Sequence, residues 1–142
     1  GLLCGLQKYC IDTARRKASI PKFQVYNNAL KMVYSQTTFE QAVLDRKVWE
    51  HILESGIGAY LVSQAFIHRF EVFYWRERND EVDFILRKKN SVVAIEVKSS
   101  ADKRTEGLDR FRQFFKPQTS FIVGDGGIDI ESFLSMDIKK LF

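Results

Sequence analysis

Asp83, Glu96 and Lys98 are the residues of this chain whose types and spacing can do chemistry together. Each lies in or beside an apolar run: Asp83 among Val82, Phe84, Ile85 and Leu86, and Glu96 and Lys98 after Val92, Val93, Ala94 and Ile95, with a charged turn between. Short apolar runs bounded by turn residues read as strands, so residues 81–100 form a hairpin carrying polar groups inside an apolar sheet. Side chains alternate along a strand, which puts Ala94, Glu96 and Lys98 on one face and Val93, Ile95 and Val97 on the other. A hairpin turning on Lys89-Asn90 places Asp83 opposite Glu96, whereas an odd loop without a bulge sends it to the wrong face.

Two carboxylates about 4 Å apart repel by roughly 4 kcal/mol at an effective dielectric of 20, and a divalent cation between them turns that repulsion into attraction. Hard oxygen donors with room for water suit Mg²⁺ or Mn²⁺, which take one or two protein carboxylates and complete their shell with water and phosphate oxygens. Lys98 then stands beside the attacking water, where its ammonium orients the nucleophile or stabilises charge developing at phosphorus, while the metal lowers the pKa of the water. The reaction implied is hydrolysis of a phosphodiester. A Glu-x-Lys on a strand is also what one solvated face of an amphipathic sheet presents; the apolar flanks and the Asp83 partner are what favour the site.

The elements that must position these groups follow from periodicity. Residues 2–11 read as a strand, 12–19 as a polar, basic connection, and 22–26 as a short alternating strand; Asn27-Asn28 caps a brief helix over 29–34, and 35–38 is a polar linker. Val43, Val48, Trp49, Ile52, Leu53, Ile57, Tyr60 and Leu61 recur at helical spacing and predict one long helix over 39–66. Its Gly56, Gly58 and Ala59 admit another element close to the backbone, as packing on a sheet requires. Runs at 70–75, 82–86 and 92–97 make a three-stranded meander. A helix capped by Thr105 or Asp102 runs through Leu108, Phe111, Phe114 and Phe115, all expected in the core, and ends before Lys116-Pro117. Residues 120–123 follow as a buried strand, parallel to 92–97 because the connection has the length of a crossover. After the tight turn Gly124-Asp125-Gly126-Gly127, residues 128–142 supply a last short helix or strand. The fold class expected is α/β or α+β, a mixed sheet flanked by helices, and α/β is the class carried forward.

A chain of 142 residues has the length of one domain, and no apolar run approaches the roughly 18 residues of a membrane span. The first residues lack the basic leader and cleavage site of a secretory signal. Cys4 and Cys10, with no histidine near them in sequence, cannot complete a zinc site and read as buried free thiols in a reducing cytoplasm. The formal net charge of +4 permits an anionic partner such as nucleic acid without requiring one. Arg15-Arg16-Lys17, Arg87-Lys88-Lys89, Lys103-Arg104, Arg110 and Arg112 are candidate phosphate contacts, set against the commoner solvated role of turn charges. Tyr74 and Trp75 could stack bases, although an aromatic strand more often packs the core. His51 and His68 have no ligand-spaced companion and read as surface or capping residues.

Taken together, Glu54-Ser55-Gly56-Ile57-Gly58-Ala59-Tyr60-Leu61, Tyr74-Trp75-Arg76, Glu81-Val82-Asp83-Phe84-Ile85-Leu86 and Ile95-Glu96-Val97-Lys98-Ser99-Ser100 resemble the domain of unknown function found C-terminal to bacterial and archaeal AAA-type ATPases. Pro21-Lys22-Phe23 to Leu30 resembles that family's upstream strand and helix, so the likeness covers most of the chain. That family in turn resembles the PD-(D/E)XK nucleases, with their restriction-endonuclease-like fold. The resemblance implies that Glu54 is the acidic residue of the first nuclease helix, Asp83 the motif aspartate, and Glu96 and Lys98 the Glu-x-Lys pair. Glu54, Asp83 and Glu96 would bind Mg²⁺ or Mn²⁺, their three negative charges and the one positive charge of Lys98 leaving −2 for one divalent ion. The motif's proline is replaced by Val82. The resemblance further implies that residues 39–142 form the nuclease-like domain and that 1–38 form a strand and helix segment linking to a preceding ATPase module. An ATPase ahead of Gly1 would account for the missing initial methionine. No Gly-x-x-x-x-Gly-Lys-Ser/Thr loop occurs, so this chain alone is not expected to hydrolyse ATP. The expected partner is DNA, with an oligomer open. The other reading is a catalytically inactive interaction or oligomerisation module that regulates the ATPase and binds no metal.

Overall fold

The hairpin of residues 81–100 lies within a six-stranded mixed sheet in the computed structural model, which describes residues 1–100 and 105–142. The strands are β1 (Leu3–Lys8), β2 (Lys22–Val25), β3 (Glu71–Glu77), β4 (Asp80–Lys88), β5 (Ser91–Lys98) and β6 (Thr119–Gly124), in the spatial order β2-β1-β3-β4-β5-β6. β1 runs parallel to β3 and β5 parallel to β6, while the other neighbours are antiparallel. The parallel β5–β6 pair is joined through helix α5 (Glu106–Phe115), the crossover expected from the length of that connection.

Helices α1 (Thr13–Ala18), α2 (Asn28–Ser35), α3 (Phe39–Leu44), α4 (Arg46–His68) and α6 (Ile130–Ser135), with a 3-10 turn at Ile138–Leu141, complete the chain. The two faces of the sheet carry separate cores. Val93, Ile95 and Val97 of β5 pack with Ile57 and Leu61 of α4 and Phe133 of α6, while Ala94 packs with Phe73, Trp75, Leu108 and Phe111 on the α5 side. Among the described residues no helix is long and apolar enough to cross a membrane. Cys4 and Cys10 are free thiols, half-buried where burial was expected.

The β4–β5 turn falls on Lys89-Asn90, with Lys89 at φ 53°, the left-handed conformation that tight hairpin turns require at their first central position. Pairing runs from Lys88–Ser91 to Phe84–Ile95 in the register expected. On its other edge β4 is irregular. Phe73 pairs with Ile85 but Trp75 with Val82, so Asp83 and Phe84 together oppose the single residue Tyr74. This bulge resets the alternation: Val82 and Ile85, three positions apart, both enter the α5-side core, while Phe84 enters the α4-side core.

Three expectations are corrected. The long helix is two, because Asp45 at φ −91° and ψ 104° closes α3 with its own N–H and opens α4 with its carboxylate, which accepts the Lys47 and Val48 N–H groups. A side chain that satisfies these groups locally outcompetes continuation of the helix. Residues expected as a polar connection form α1, capped by Asp12, whose Oδ1 accepts the Ala14 N–H at 2.8 Å. Arg15, Arg16 and Lys17 then fall in its last turn, where the helix dipole favours cations. Finally, Phe114 is 66% exposed. The stripe that packs is Leu108, Phe111 and Phe115, and Phe114 falls beyond its edge. Thr105 is the cap position of α5 but makes no side-chain cap bond. Asp102, Lys103 and Arg104, named above as a cap and phosphate contacts, lie outside the described residues.

Candidate active site

The site begins with a polar clasp between β2 and α4. Gln24 of β2 is 6% exposed, and its Nε2 donates to the Ser55 carbonyl at 2.9 Å and to the Val25 carbonyl at 3.0 Å. It can reach that carbonyl because position 58 is glycine; a Cβ there would collide with the Gln24 amide oxygen. One turn earlier, Asn28 Nδ2 donates to the Ile52 carbonyl at 3.1 Å. The close approach inferred from the glycines is thus made by an amide side chain of the sheet.

The clasp sets Glu54 of α4 beside Lys22 of β2. Lys22 Nζ lies 2.6 Å from Glu54 Oε1, 3.0 Å from Glu81 Oε1 and 3.9 Å from Asp83 Oδ1. Glu81 is also held by Arg76, whose Nε is 3.4 Å from Oε2. Asp83 turns its other oxygen to the backbone of the neighbouring strand, Oδ2 accepting the Val97 N–H at 2.8 Å. Glu54, Asp83 and Glu96 all line a cleft of about 740 Å³, with Lys22, Glu81 and Gln24 on its walls.

Electrostatics in the cleft are dominated by burial and like charge. Burial pushes the Asp83 carboxyl well above the ordinary range, Glu54 and Glu96 push it further, and Lys22 and the Val97 N–H only partly oppose them. Glu96 is pushed up to about 7, by burial first; Lys98 opposes the rise and Glu81 and Glu54 add to it. Burial disfavours the Lys22 ammonium, yet Glu54, Asp83 and Glu81 outweigh it and hold this lysine charged well above the usual range.

Asp83 and Glu96, which the sequence singled out, and Glu54, which the resemblance added, therefore line one cleft. Lys98 stands two residues beyond Glu96 on β5, is 3% exposed and acts on Glu96 by its charge, but does not line the cleft. Trp75 and Tyr74 are core residues, the Tyr74 hydroxyl donating to the Ile20 carbonyl at 2.7 Å. His51 lines the cleft and His68 lies in the last turn of α4. Much of the candidate phosphate-binding charge is engaged within the chain. Arg16 stacks over Phe73, Arg87 pairs with Glu71, Arg110 with Asp80, and Arg112 with Asp109. Sequence reasoning missed Lys22, Glu81 and Gln24 as site residues. Lys22 was in view only as part of an upstream strand, and no spacing rule joins position 22 to positions 54 and 83.

The donor set fits a hard divalent cation in chemistry. All candidate ligands are carboxylates, and Glu96 Oε2 is buried without a hydrogen-bond partner. Asp83 and Glu96 would hold such an ion, with Glu54 as third carboxylate. Among the described residues no three ligands form a ready-made cage.

The model of the family described as Domain of unknown function (DUF4143) matches residues 49–137, a segment that contains Glu54, Asp83, Glu96 and Lys98 and leaves Lys22 outside. No curated protein and no solved structure matches the chain.

Proposed function

The chain belongs to the DUF4143 family, and we propose that it is a nuclease-like domain of the PD-(D/E)XK kind, acting on DNA phosphodiesters with Mg²⁺ or Mn²⁺. One observation carries this reading: acidic side chains from a helix and two strands converge on one cleft, where Glu96 Oε2 is buried without a partner. Structural carboxylates are normally satisfied by hydrogen bonds or countercharge, and groups held at strongly shifted pKa values in a cleft mark functional sites.

When bound at Asp83 and Glu96, the cation would lower the pKa of a water and neutralise charge on the scissile phosphate. The chain's own groups do the positioning. The Val97 N–H fixes Asp83, so the carboxylate needs no reorganisation on binding. Lys98, buried outside the cleft lining, would act through its positive charge on Glu96. The +4 chain would meet its anionic partner through Lys31 at the cleft.

On the family resemblance, an AAA-type ATPase preceding this domain in a cytoplasmic protein would direct its use. The test is nicking of supercoiled plasmid and branched DNA in Mg²⁺ or Mn²⁺ by wild type and Lys98→Ala. The variant is expected to lose nicking, and equal activity in both removes the mechanism. The second reading, an inactive interaction module, draws on the exposed edge of the sheet, where Phe23 of β2 is 73% exposed. It predicts no metal binding and tolerance of Asp83→Asn.

A further inference from the structure

Lys22 is placed where a cation ligand set would place its ion. Its ammonium contacts carboxylates from α4 and from two positions of β4, Glu54, Glu81 and Asp83, at 2.6, 3.0 and 3.9 Å. Four carboxylates, Glu54, Glu81, Asp83 and Glu96, line the cleft that holds the Lys22 side chain. Mg²⁺ demands oxygens at about 2.0–2.1 Å in near-octahedral array, a spacing that an ammonium held by hydrogen bonds does not impose.

We propose that the Lys22 ammonium is the resident counter-ion of this carboxylate cluster, and that a divalent cation binds by displacing it, so that Lys22 sets the metal affinity of the site. This rests on the metal-binding reading above. An ammonium and a divalent ion that share the same carboxylate oxygens repel each other, which favours exchange of one for the other. Lys22 is built to leave. It is the first residue of β2, its side chain is 30% exposed, and it hangs on a flexible four-carbon stem in an open cleft of about 740 Å³. The Gln24 clasp and the backbone pairing of β2 with β1 do not involve its side chain, so it can swing to solvent while the strand stays in place.

The decisive experiment titrates Mn²⁺ calorimetrically into the full chain as wild type, Lys22→Met and Lys22→Arg, with folding checked by circular dichroism. Lys22→Met is expected to bind Mn²⁺ at least tenfold more tightly than wild type, and Lys22→Arg no more tightly. A second readout on wild type does not depend on the variants folding: acylation of Lys22 by an amine-selective reagent, read by peptide mass spectrometry, is expected to rise when Mn²⁺ saturates the site. Mn²⁺ binding by wild type with equal or weaker binding by folded Lys22→Met overturns the displacement and leaves the metal site standing. So does Lys22 acylation that is unchanged at saturation. Absence of Mn²⁺ binding in both folded wild type and folded Lys22→Met overturns the metal reading itself, and the displacement with it.

Discussion

Asp83 Oδ2 accepts the Val97 N–H at 2.8 Å, so a side chain takes the place of a main-chain rung just where the β4–β5 pairing stops at Phe84–Ile95. The bulge that sets Asp83 and Phe84 against Tyr74 frees Asp83 from the regular ladder, and the bond to Val97 then holds it. This buried carboxylate is fixed by the sheet and strained by its acidic neighbours.

That division of roles separates two substitutions. Asparagine keeps an oxygen for the Val97 N–H and removes the charge that Glu54 and Glu96 repel, so Asp83→Asn is expected to be at least as stable as wild type. Alanine leaves a buried N–H without an acceptor, at about 1–3 kcal/mol. Urea denaturation should therefore rank Asp83→Ala below Asp83→Asn by that amount. Both should lose Mn²⁺ binding, and the reverse stability order would show that the bond does not anchor the strand end.

Glu96 makes stability depend on pH with a definite sign. Its folded-state pKa of about 7 lies above the ordinary 4.5, so between these values the native state holds more protons than the unfolded state. Stability therefore falls as pH rises through this window, by at most on the order of 3 kcal/mol for this residue. Glu96→Gln removes the titration. Denaturation at pH 5 and pH 8 should show the variant gaining on wild type as pH rises, and a constant difference between them would contradict the shift.

The Gln24 clasp predicts a penalty at an apparently permissive position. Alanine ordinarily favours a helix over glycine, but at position 58 its methyl meets the Gln24 amide oxygen. Gly58→Ala is expected to destabilise the chain by about 1–3 kcal/mol, as overpacking does. Gln24→Ala in the same background should make the substitution at position 58 less costly, which thermal denaturation of the four-member cycle measures.

Asp45 divides α3 from α4 through two carboxylate-accepted bonds, to Lys47 N at 3.0 Å and Val48 N at 3.1 Å. Asp45→Ala should cost about 1 kcal/mol, as loss of an N-cap does. Asp45→Asn should retain most of it. Equal losses for the two would assign the effect to charge instead of capping.

The reading of the strands from sequence was close because each element announces itself locally. The period-two runs at β3, β4 and β5, the Lys89-Asn90 turn and the crossover through Phe111 depend on near neighbours, and the structure reproduces the β4–β5 register that the turn implies and the parallel β5–β6 pair. Local signals were also present where the reading went astray: Asp12 and Asp45 are cap residues that a stronger periodic pattern, or a run of basic residues, overshadowed.

By itself, then, the sequence determined the hairpin and a mixed sheet flanked by helices, since alternation and turn chemistry act over a few residues. Resemblance added Glu54. Only the tertiary structure decided that Lys22 faces Glu54, that Glu81 joins the cluster, and that a bulge turns Asp83 toward Val97. Those relationships join residues far apart in the chain, and they are fixed by where α4 seats on β2 through Gln24 and Gly58. That seating depends on the fit of two surfaces, which no local period encodes.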